Sequence, residues 1–214
     1  DRMGKSEGAM EFDESGNGGS GEYVDISSFD SFDDNQEITS MAWIKPNPSS
    51  DSRAPITRVD NFYLQHYSND RLASYWYGWN DNGYHYSTTN SVPTGEWTHA
   101  AVTWNQDNGV IFYINGEKDN QISNSGTGDP LDWAMIGKES SSRRYDGKID
   151  DVRIYDRALS QDEIKSIYDS YDPKASAGSL KKGLVFDMPL TSRYTKDETA
   201  GSEIMTDRTP YMND

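Results

Sequence analysis

Short runs of alternating apolar and polar residues fill most of this chain, and they predict β-strands rather than helices. The strand predicted over residues 36–45 has apolar side chains on both of its faces, as an inner strand of a sheet would. Further strands are predicted over residues 7–26 (two strands around a glycine-rich turn), 54–67, 71–78, 84–86, 96–104, 110–114 and 133–137. About a dozen strands are enough for two packed sheets, so we predict an all-β protein.

A longer strand is predicted over residues 149–155, where Asp150 and Asp151 interrupt the strict alternation. A β-bulge at this pair, or a carboxylate turned toward a bound ion, would produce such an interruption. The pair is therefore the first candidate for a functional site.

One short helix is predicted near residues 160–170. Ser160 is a favourable N-cap, and Glu163 three residues later completes the sequence pattern of a capping box. The apolar residues of 164–168 follow at the i, i+3, i+4 spacing, which predicts a helix that packs one stripe of side chains on a sheet.

Composition narrows the partners that this chain is expected to bind. The chain has 36 acidic and 20 basic residues among 214, and its net charge of −16 disfavours nucleic acid and anionic membrane surfaces. There are no cysteines, so neither disulfides nor thiolate metal sites are available. No run of apolar residues is long enough to span a membrane. We expect a protein that is extracellular or on the surface of a cell or particle.

Four stretches of the sequence carry a family resemblance. They are AMEFDESGNGGSGEYVDI, EITSMAWIKP, EWTHAAVTWNQDNGVIFYINGEK and YDGKIDDVRIYDRALSQDEI, and the match that they define extends over about residues 5–168. In this order they resemble the LamG-like jelly-roll domain of the concanavalin A-like lectin/glucanase superfamily. The resemblance implies a two-sheet antiparallel jelly-roll sandwich with one short helix, formed here by residues 1–171.

The C-terminal part of the chain resembles the strand that opens such a domain. Residues 172–183 have the composition of a linker, and residues 184–214 contain the strand-like segment. This segment is expected to pair beside residues 149–155 of its own chain, to fill the open edge of a neighbouring subunit, or to begin a further repeat. The residues expected to make this pairing are Leu184, Val185, Phe186, Met188 and Leu190.

The resemblance also implies a calcium site, because calcium prefers six to eight hard oxygen ligands and tolerates irregular geometry. The matching positions are Asp13 or Glu22 together with Asp150 or Asp151. Glu22 stands where aspartate is common in the family, so the ligand set is left open. The alternative is that Asp151 bonds backbone N–H groups at a bulge.

The aromatic residues between positions 75 and 86 predict a second kind of site. Aromatic faces stack on the apolar faces of sugar rings, although half of these side chains must point into the core because strands alternate. The residues expected to bind a ligand are Trp76, Trp79, Asp81, Tyr84 and Tyr86. Glycoside hydrolysis is not expected, since the chain lacks the Glu-x-Asp-x-x-Glu strand that carries the paired carboxylates of laminarinase-type enzymes.

The sequence therefore predicts a non-catalytic structural, assembly or adhesion module that associates with itself through its C-terminal strand. The alternative is a calcium-dependent, lectin-like domain that binds carbohydrate.

Overall fold

The structure is a computed structural model of the 214-residue chain. It describes residues 9–12, 23–26, 37–48, 53–76, 79, 83–123, 126, 133–140, 143–170, 180, 182–188, 195–198 and 202–205. Asp13, Glu22, Asp81 and Leu190, which the sequence marks as candidate site residues, lie outside these ranges.

The described residues form one helix and a series of short strands. In chain order these are β1 (Met10–Phe12), β2 (Val24–Ile26), β3 (Glu37–Pro46), β4 (Arg53–Val59), β5 (Phe62–Tyr67), β6 (Arg71–Trp76), β7 (His85–Tyr86), β8 (Thr98–Asn105), β9 (Gly109–Ile114), β10 (Glu117–Ile122), β11 (Ala134–Ile136), β12 (Lys138–Ser140), β13 (Arg143–Arg144), β14 (Gly147–Tyr155), α1 (Gln161–Asp169), β15 (Leu184–Met188), β16 (Thr195–Glu198) and β17 (Ser202–Met205).

The strands build two main antiparallel sheets, which confirms the predicted fold class. The first sheet has the order β1-β14-β3-β8-β9-β10, and β15 pairs with β14 as well. The second sheet has the order β2-β11-β4-β5-β6-β7. Strands β12 and β13, and strands β16 and β17, form two further sheets of two strands each. Side chains of the two main sheets meet in one continuous apolar core, as expected for a sandwich.

The helix covers the outer face of the first sheet. Ile164 and Ile167 of α1 pack with Met41 and Tyr155 in a second apolar cluster, separate from the core between the sheets. The capping box is present, because the Ser160 hydroxyl accepts from the Glu163 N–H and the Glu163 carboxylate accepts from the Ser160 N–H. Among the described residues, no helix has the length and apolar character needed to cross a membrane.

Two details of the strand prediction were wrong. Residues 54–67 were expected to be one strand, but Asp60 adopts a positive φ of 47° and turns the chain between β4 and β5. Strand β10 was not expected at all, because its sequence EKDNQI has no apolar alternation. It pairs with β9 at the edge of the first sheet, where few side chains are buried.

Strand β14 pairs with the first strand, β1, and with the late strand β15. Its first residues pair with β1 through Met10 and Ile149, and its last residues pair with β15 through Met188 and Val152. Both β1 and β15 run antiparallel to β14 and lie along the same edge of it. In this structure, therefore, β15 pairs within its own chain.

A tight turn directs the chain into β15. Gly183 has a φ of +72°, and a Cβ atom there would clash with the Asp156 carboxylate. Its carbonyl also accepts a hydrogen bond from the Asp156 N–H at 2.8 Å. Glycine is the residue that permits this conformation and this close approach.

A buried group of charges holds β15 to β14 at the predicted bulge. Asp151 adopts a φ of 49°, and the β14–β3 register shifts between Asp150 and Arg153. Arg153 lies 3.2 Å from the Asp151 carboxylate and 3.4 Å from the Asp187 carboxylate, and all three residues are buried. Burial alone would lower the pKa of Arg153, but the two carboxylates outweigh it and raise that pKa above its ordinary value.

Replacement of Arg153 by methionine tests how far the sandwich depends on this group. We expect Arg153→Met to lower the free energy of unfolding by about 3–5 kcal/mol, because it removes the cation that pairs with two buried carboxylates. Urea unfolding followed by tryptophan fluorescence measures the change. Lys148→Met is the control, since Lys148 pairs with Glu11 at the surface, and its loss should cost less than about 1 kcal/mol. Equal effects of the two variants would contradict this account.

Candidate functional site

The aromatic side chains of β5 and β6 divide between the two faces of the second sheet. The register pairs Phe62 with Trp76 and Tyr63 with Tyr75. Since successive side chains of a strand point to opposite faces, one pair enters the core and the other faces outward. Trp76 is 1% exposed and meets Trp104 of the first sheet edge-on at 4.6 Å.

The prediction that Trp76 and Trp79 contact a ligand was wrong. Trp79 is 2% exposed, and its ring lies 4.5 Å from the ring of His85 and 6.3 Å from that of Phe62. Both tryptophans belong to the core between the sheets. Their large apolar area fills the sandwich, so neither ring is available to stack on a molecule in solvent.

Four half-buried tyrosines form a continuous surface on β5, β6 and β7 and in the segment that leads into β7. We call this surface the tyrosine face, and its members are Tyr67, Tyr75, Tyr84 and Tyr86. Ring centroids are 4.9 Å apart for Tyr75 and Tyr84, and 5.2 Å apart for Tyr67 and Tyr86. Tyr84 links the two pairs, at 6.0 Å from Tyr67 and 6.3 Å from Tyr86.

Arg71 lies at one end of the tyrosine face. It pairs with Tyr67 across β5 and β6. Its guanidinium stacks over the Tyr86 ring at 3.9 Å and lies 5.6 Å from the Tyr67 ring. The Nε atom is buried and has no hydrogen-bond acceptor. Among the described residues, no carboxylate lies within ion-pair distance of this guanidinium.

Arg58 of β4 is also stacked on aromatic rings, but its nitrogens are occupied. The guanidinium lies 5.1 Å from the Tyr63 ring and 4.6 Å from the Trp133 ring. Its Nε donates to the Asp60 carbonyl at 2.9 Å, and a terminal nitrogen donates to the Glu139 carbonyl at 2.6 Å. Arg58 therefore serves local structure.

Side chains from the first sheet hold β7 in place. The Asp119 carboxylate accepts hydrogen bonds from the Thr88 N–H at 2.7 Å and from the Thr88 hydroxyl at 2.6 Å. The Asn120 amide donates to the Tyr86 carbonyl at 2.8 Å. These bonds connect β10 to the chain around β7, so the position of Tyr86 does not depend only on its short strand.

The tyrosine face combines flat apolar ring surfaces with a cation at its end. Flat rings of this kind stack on the apolar faces of sugar rings, and the partly exposed phenols and guanidinium supply hydrogen bonds. The sequence prediction included Tyr84 and Tyr86 but missed Tyr67 and Arg71. Strand alternation counted back from Tyr75 would have placed Arg71 on the same face.

The structure does not bring the predicted calcium ligands together among the residues it describes. Asp150 and Asp151 are both buried, and the Asp151 carboxylate is bound by Arg153. Within the described ranges, no cluster of three or more acidic or histidine side chains is able to hold a metal ion. Because Asp13 and Glu22 lie outside those ranges, the calcium prediction for them stays a prediction.

The residues predicted for assembly lie in β15, apart from Leu190. Phe186 and Met188 are buried in the core between the sheets, and Leu184 is buried in the cluster under the helix. Val185 is half-buried. These side chains complete the sandwich of their own chain.

These features define a lectin-like β-sandwich with an aromatic surface on one sheet. The chain belongs to the family Laminin_G_3, described as the concanavalin A-like lectin/glucanases superfamily, whose model matches residues 17–165.

The chain is also similar to individual proteins, at low sequence identity. A sushi, von Willebrand factor type A, EGF and pentraxin domain-containing protein 1 from Rattus norvegicus is 27% identical over 126 residues, which are 51% of this chain and 3% of that protein. A proposed carbohydrate binding protein from Bacteroides ovatus superposes with a TM-score of 0.67 at 20% identity, covering 95% of this chain and 56% of the other. A heptameric SAP-like pentraxin from Limulus polyphemus gives a TM-score of 0.57 at 16% identity, covering 86% and 85%. The structural matches show a shared fold.

Thermal unfolding with and without calcium tests the assignment of Asp151 to Arg153. We expect Asp151→Asn to show the same difference in melting temperature between calcium and EDTA, at equal ionic strength, as the unmodified chain, because the Asp151 carboxylate is already bound by Arg153. A calcium site that includes Asp151, filled at a hundred times its dissociation constant, would add about 2.7 kcal/mol. That corresponds to a rise of roughly 5–11 °C in a chain of this size. A calcium-specific rise of this size that Asp151→Asn abolishes would contradict the expectation.

Proposed function

We propose that this chain is a non-catalytic, extracellular carbohydrate-binding module whose binding surface is the tyrosine face. The observation that carries the proposal is the contact between four half-buried tyrosine rings on one side of the second sheet. Membership of a lectin-type superfamily supports it. So does the fold shared with the Bacteroides ovatus protein, which is itself a proposed carbohydrate binding protein.

Among the residues that the structure describes, the acidic side chains near the tyrosine face support a binding role rather than catalysis. A glycosidase needs two carboxylates about 5–9 Å apart across the bond that it cleaves. Asp70, at the turn between β5 and β6, lies 3.7 Å from the buried His66, and Asp119 is bound to Thr88. Both carboxylates have a structural partner, so neither is placed as a free acid or base.

Removal of one ring from the face tests the proposal. We expect Tyr84→Ala to weaken glycan binding about tenfold, since one lost stacking contact is worth about 1.4 kcal/mol. Tyr84→Phe should bind nearly as well as the unmodified chain, because it keeps the ring. Glycan-array screening followed by calorimetry on the best ligand measures both effects.

The matched control for this experiment is Tyr168→Ala. Tyr168 is a half-buried tyrosine of α1 that stacks on Trp43, on the outer side of the first sheet. Circular dichroism verifies that both alanine variants are folded. The same affinity for Tyr84→Ala and Tyr168→Ala, or no binding by the unmodified chain, would contradict the proposed function.

Self-association through the C-terminal strand is a second candidate function. Among the described strands, β15 pairs with β14 alone, so its other edge is open to a strand of another molecule. Open edges of this kind template pairing between chains. The Limulus polyphemus pentraxin shares the fold and forms a heptamer, but the heptamer is a property of that protein.

Light scattering across a concentration series tests this second candidate. We expect the molar mass to rise with concentration, and Val185→Lys to prevent the rise, because a lysine on an edge strand opposes pairing between chains. Ile122→Lys is the matched control: Ile122 is half-buried against the same core in β10, at the opposite edge of the first sheet. A monomer at every concentration would rule out assembly and leave the carbohydrate proposal untouched.

A further inference from the structure

We propose that the glycan bound by the tyrosine face is acidic, and that its carboxylate or sulfate group binds the guanidinium of Arg71. This inference rests on the proposed function, since it names the class of glycan that the same surface selects.

The lack of a carboxylate partner for Arg71 among the described residues is the first step of the argument. The chain has 36 acidic residues, and three of its other arginines pair with carboxylates. Arg143 lies 3.0 Å from Glu139, Arg153 lies 3.2 Å from Asp151, and Arg157 lies 2.8 Å from Glu163. Among the described residues, Arg71 has no such partner, and its contacts are two aromatic rings. A cation without a carboxylate partner among the described residues of so acidic a protein is a good candidate to bind an external anion.

The hydrogen-bond donors of the guanidinium are the second step. The guanidinium carbon lies 3.9 Å from the centroid of the Tyr86 ring, the distance of a close cation–π contact. The N–H bonds point outward in the plane of the group, where they match the two oxygens of a carboxylate or sulfate. Nε is buried without an acceptor, and the two terminal nitrogens make no hydrogen bond among the described residues, so they are the donors left for a ligand.

The position of Arg71 is the third step. The two rings that flank it, Tyr67 and Tyr86, are also near Tyr84, at 6.0 and 6.3 Å. A sugar ring stacked on Tyr84 therefore lies about one ring spacing away from the guanidinium. An acidic substituent on that sugar, or on its neighbour, falls at the end of the face where the cation is.

The net charge of −16 does not oppose this site under physiological conditions. At physiological ionic strength, charges separated by more than about 8 Å are largely screened, whereas a contact pair that is partly buried is screened much less. The acidic surface acts at longer range, so it slows the approach of an anion at low ionic strength. Binding of an acidic glycan therefore depends on the local contact with Arg71 rather than on attraction to the whole chain.

Pairs of oligosaccharides that differ only in the acidic group provide the test. We use sialyllactose with lactose, oligogalacturonate with its methyl ester, and a sulfated oligosaccharide with its desulfated form. The full chain should bind the acidic member of at least one pair about tenfold more tightly, as expected for a charge-assisted bidentate contact. Arg71→Gln should reduce this preference to less than about twofold while affinity for the neutral member stays the same. The three pairs distinguish a carboxylate ligand from a sulfate ligand.

Two further variants separate binding from structure. Arg71→Lys keeps the charge but loses the planar fork, so it should retain only part of the preference. Arg58→Gln removes a stacked arginine whose nitrogens are bound to carbonyl groups, and it should leave the preference unchanged.

The outcomes distinguish the inference from the proposed function. Equal binding of acidic and neutral members by the unmodified chain would overturn the inference and leave carbohydrate binding intact. Equal weakening of both members by Arg71→Gln would also overturn it, because Arg71 would then act only by supporting Tyr86. Failure to bind any glycan would overturn both.

Discussion

The pairing of Arg153 with Asp151 and Asp187 is the interaction on which the closed sandwich depends. Asp151 is presented by the bulge in β14, and Asp187 belongs to β15, so one guanidinium joins two strands that are distant in sequence. An ion pair of this kind adds little stability compared with apolar packing, but it penalises any arrangement that leaves one charge unpaired. A shift of β15 by one residue would turn Asp187 into the core and Phe186 and Met188 away from it. The charges and the apolar side chains therefore specify the same register.

Register in the second sheet decides which aromatic residues are able to meet a ligand. The pairing of Tyr63 with Tyr75 and of Phe62 with Trp76 sends tyrosines outward and tryptophan inward. Tryptophan supplies the larger apolar area and fills the space between the sheets, while a tyrosine at the surface keeps its hydroxyl in water. The core and the candidate site are thus two faces of the same strands, and the packing of one face orders the other.

The sequence predicted the parts of this fold that depend on local patterns. The capping box of Ser160 and Glu163, the break in alternation at Asp150 and Asp151, and the two-sheet class are all present in the structure. The ion-pair partner of Asp151 was not predictable from the sequence. The bulge brings the Asp151 carboxylate to Arg153, and Arg153 also pairs with Asp187, which belongs to another strand. Strand β10 was missed because an exposed edge strand needs no apolar pattern, only backbone partners on one side.

The candidate site was predicted only in part, for a related physical reason. Trp76 and Tyr75 are both aromatic neighbours on one strand, and the phase of strand alternation decides which of the two rings faces the core. The same phase of alternation places Arg71 on the outward face, with Tyr75. Because Arg71 is polar, the sequence gave no reason to group it with the aromatic residues.

Rigidity is what makes such a face useful for recognition. The tyrosines contact one another, β7 is bonded to β10 through Asn120, and Arg71 is held against Tyr86. Side chains that are ordered before binding lose little conformational entropy when a ligand arrives. Tyrosine suits this purpose because it carries a large surface on only two rotatable bonds. A weakly hydrated guanidinium fixed by stacking follows the same principle, because its orientation is set before any anion approaches. Under the proposed function, the selectivity of this surface would depend on the same packing that stabilises the second sheet.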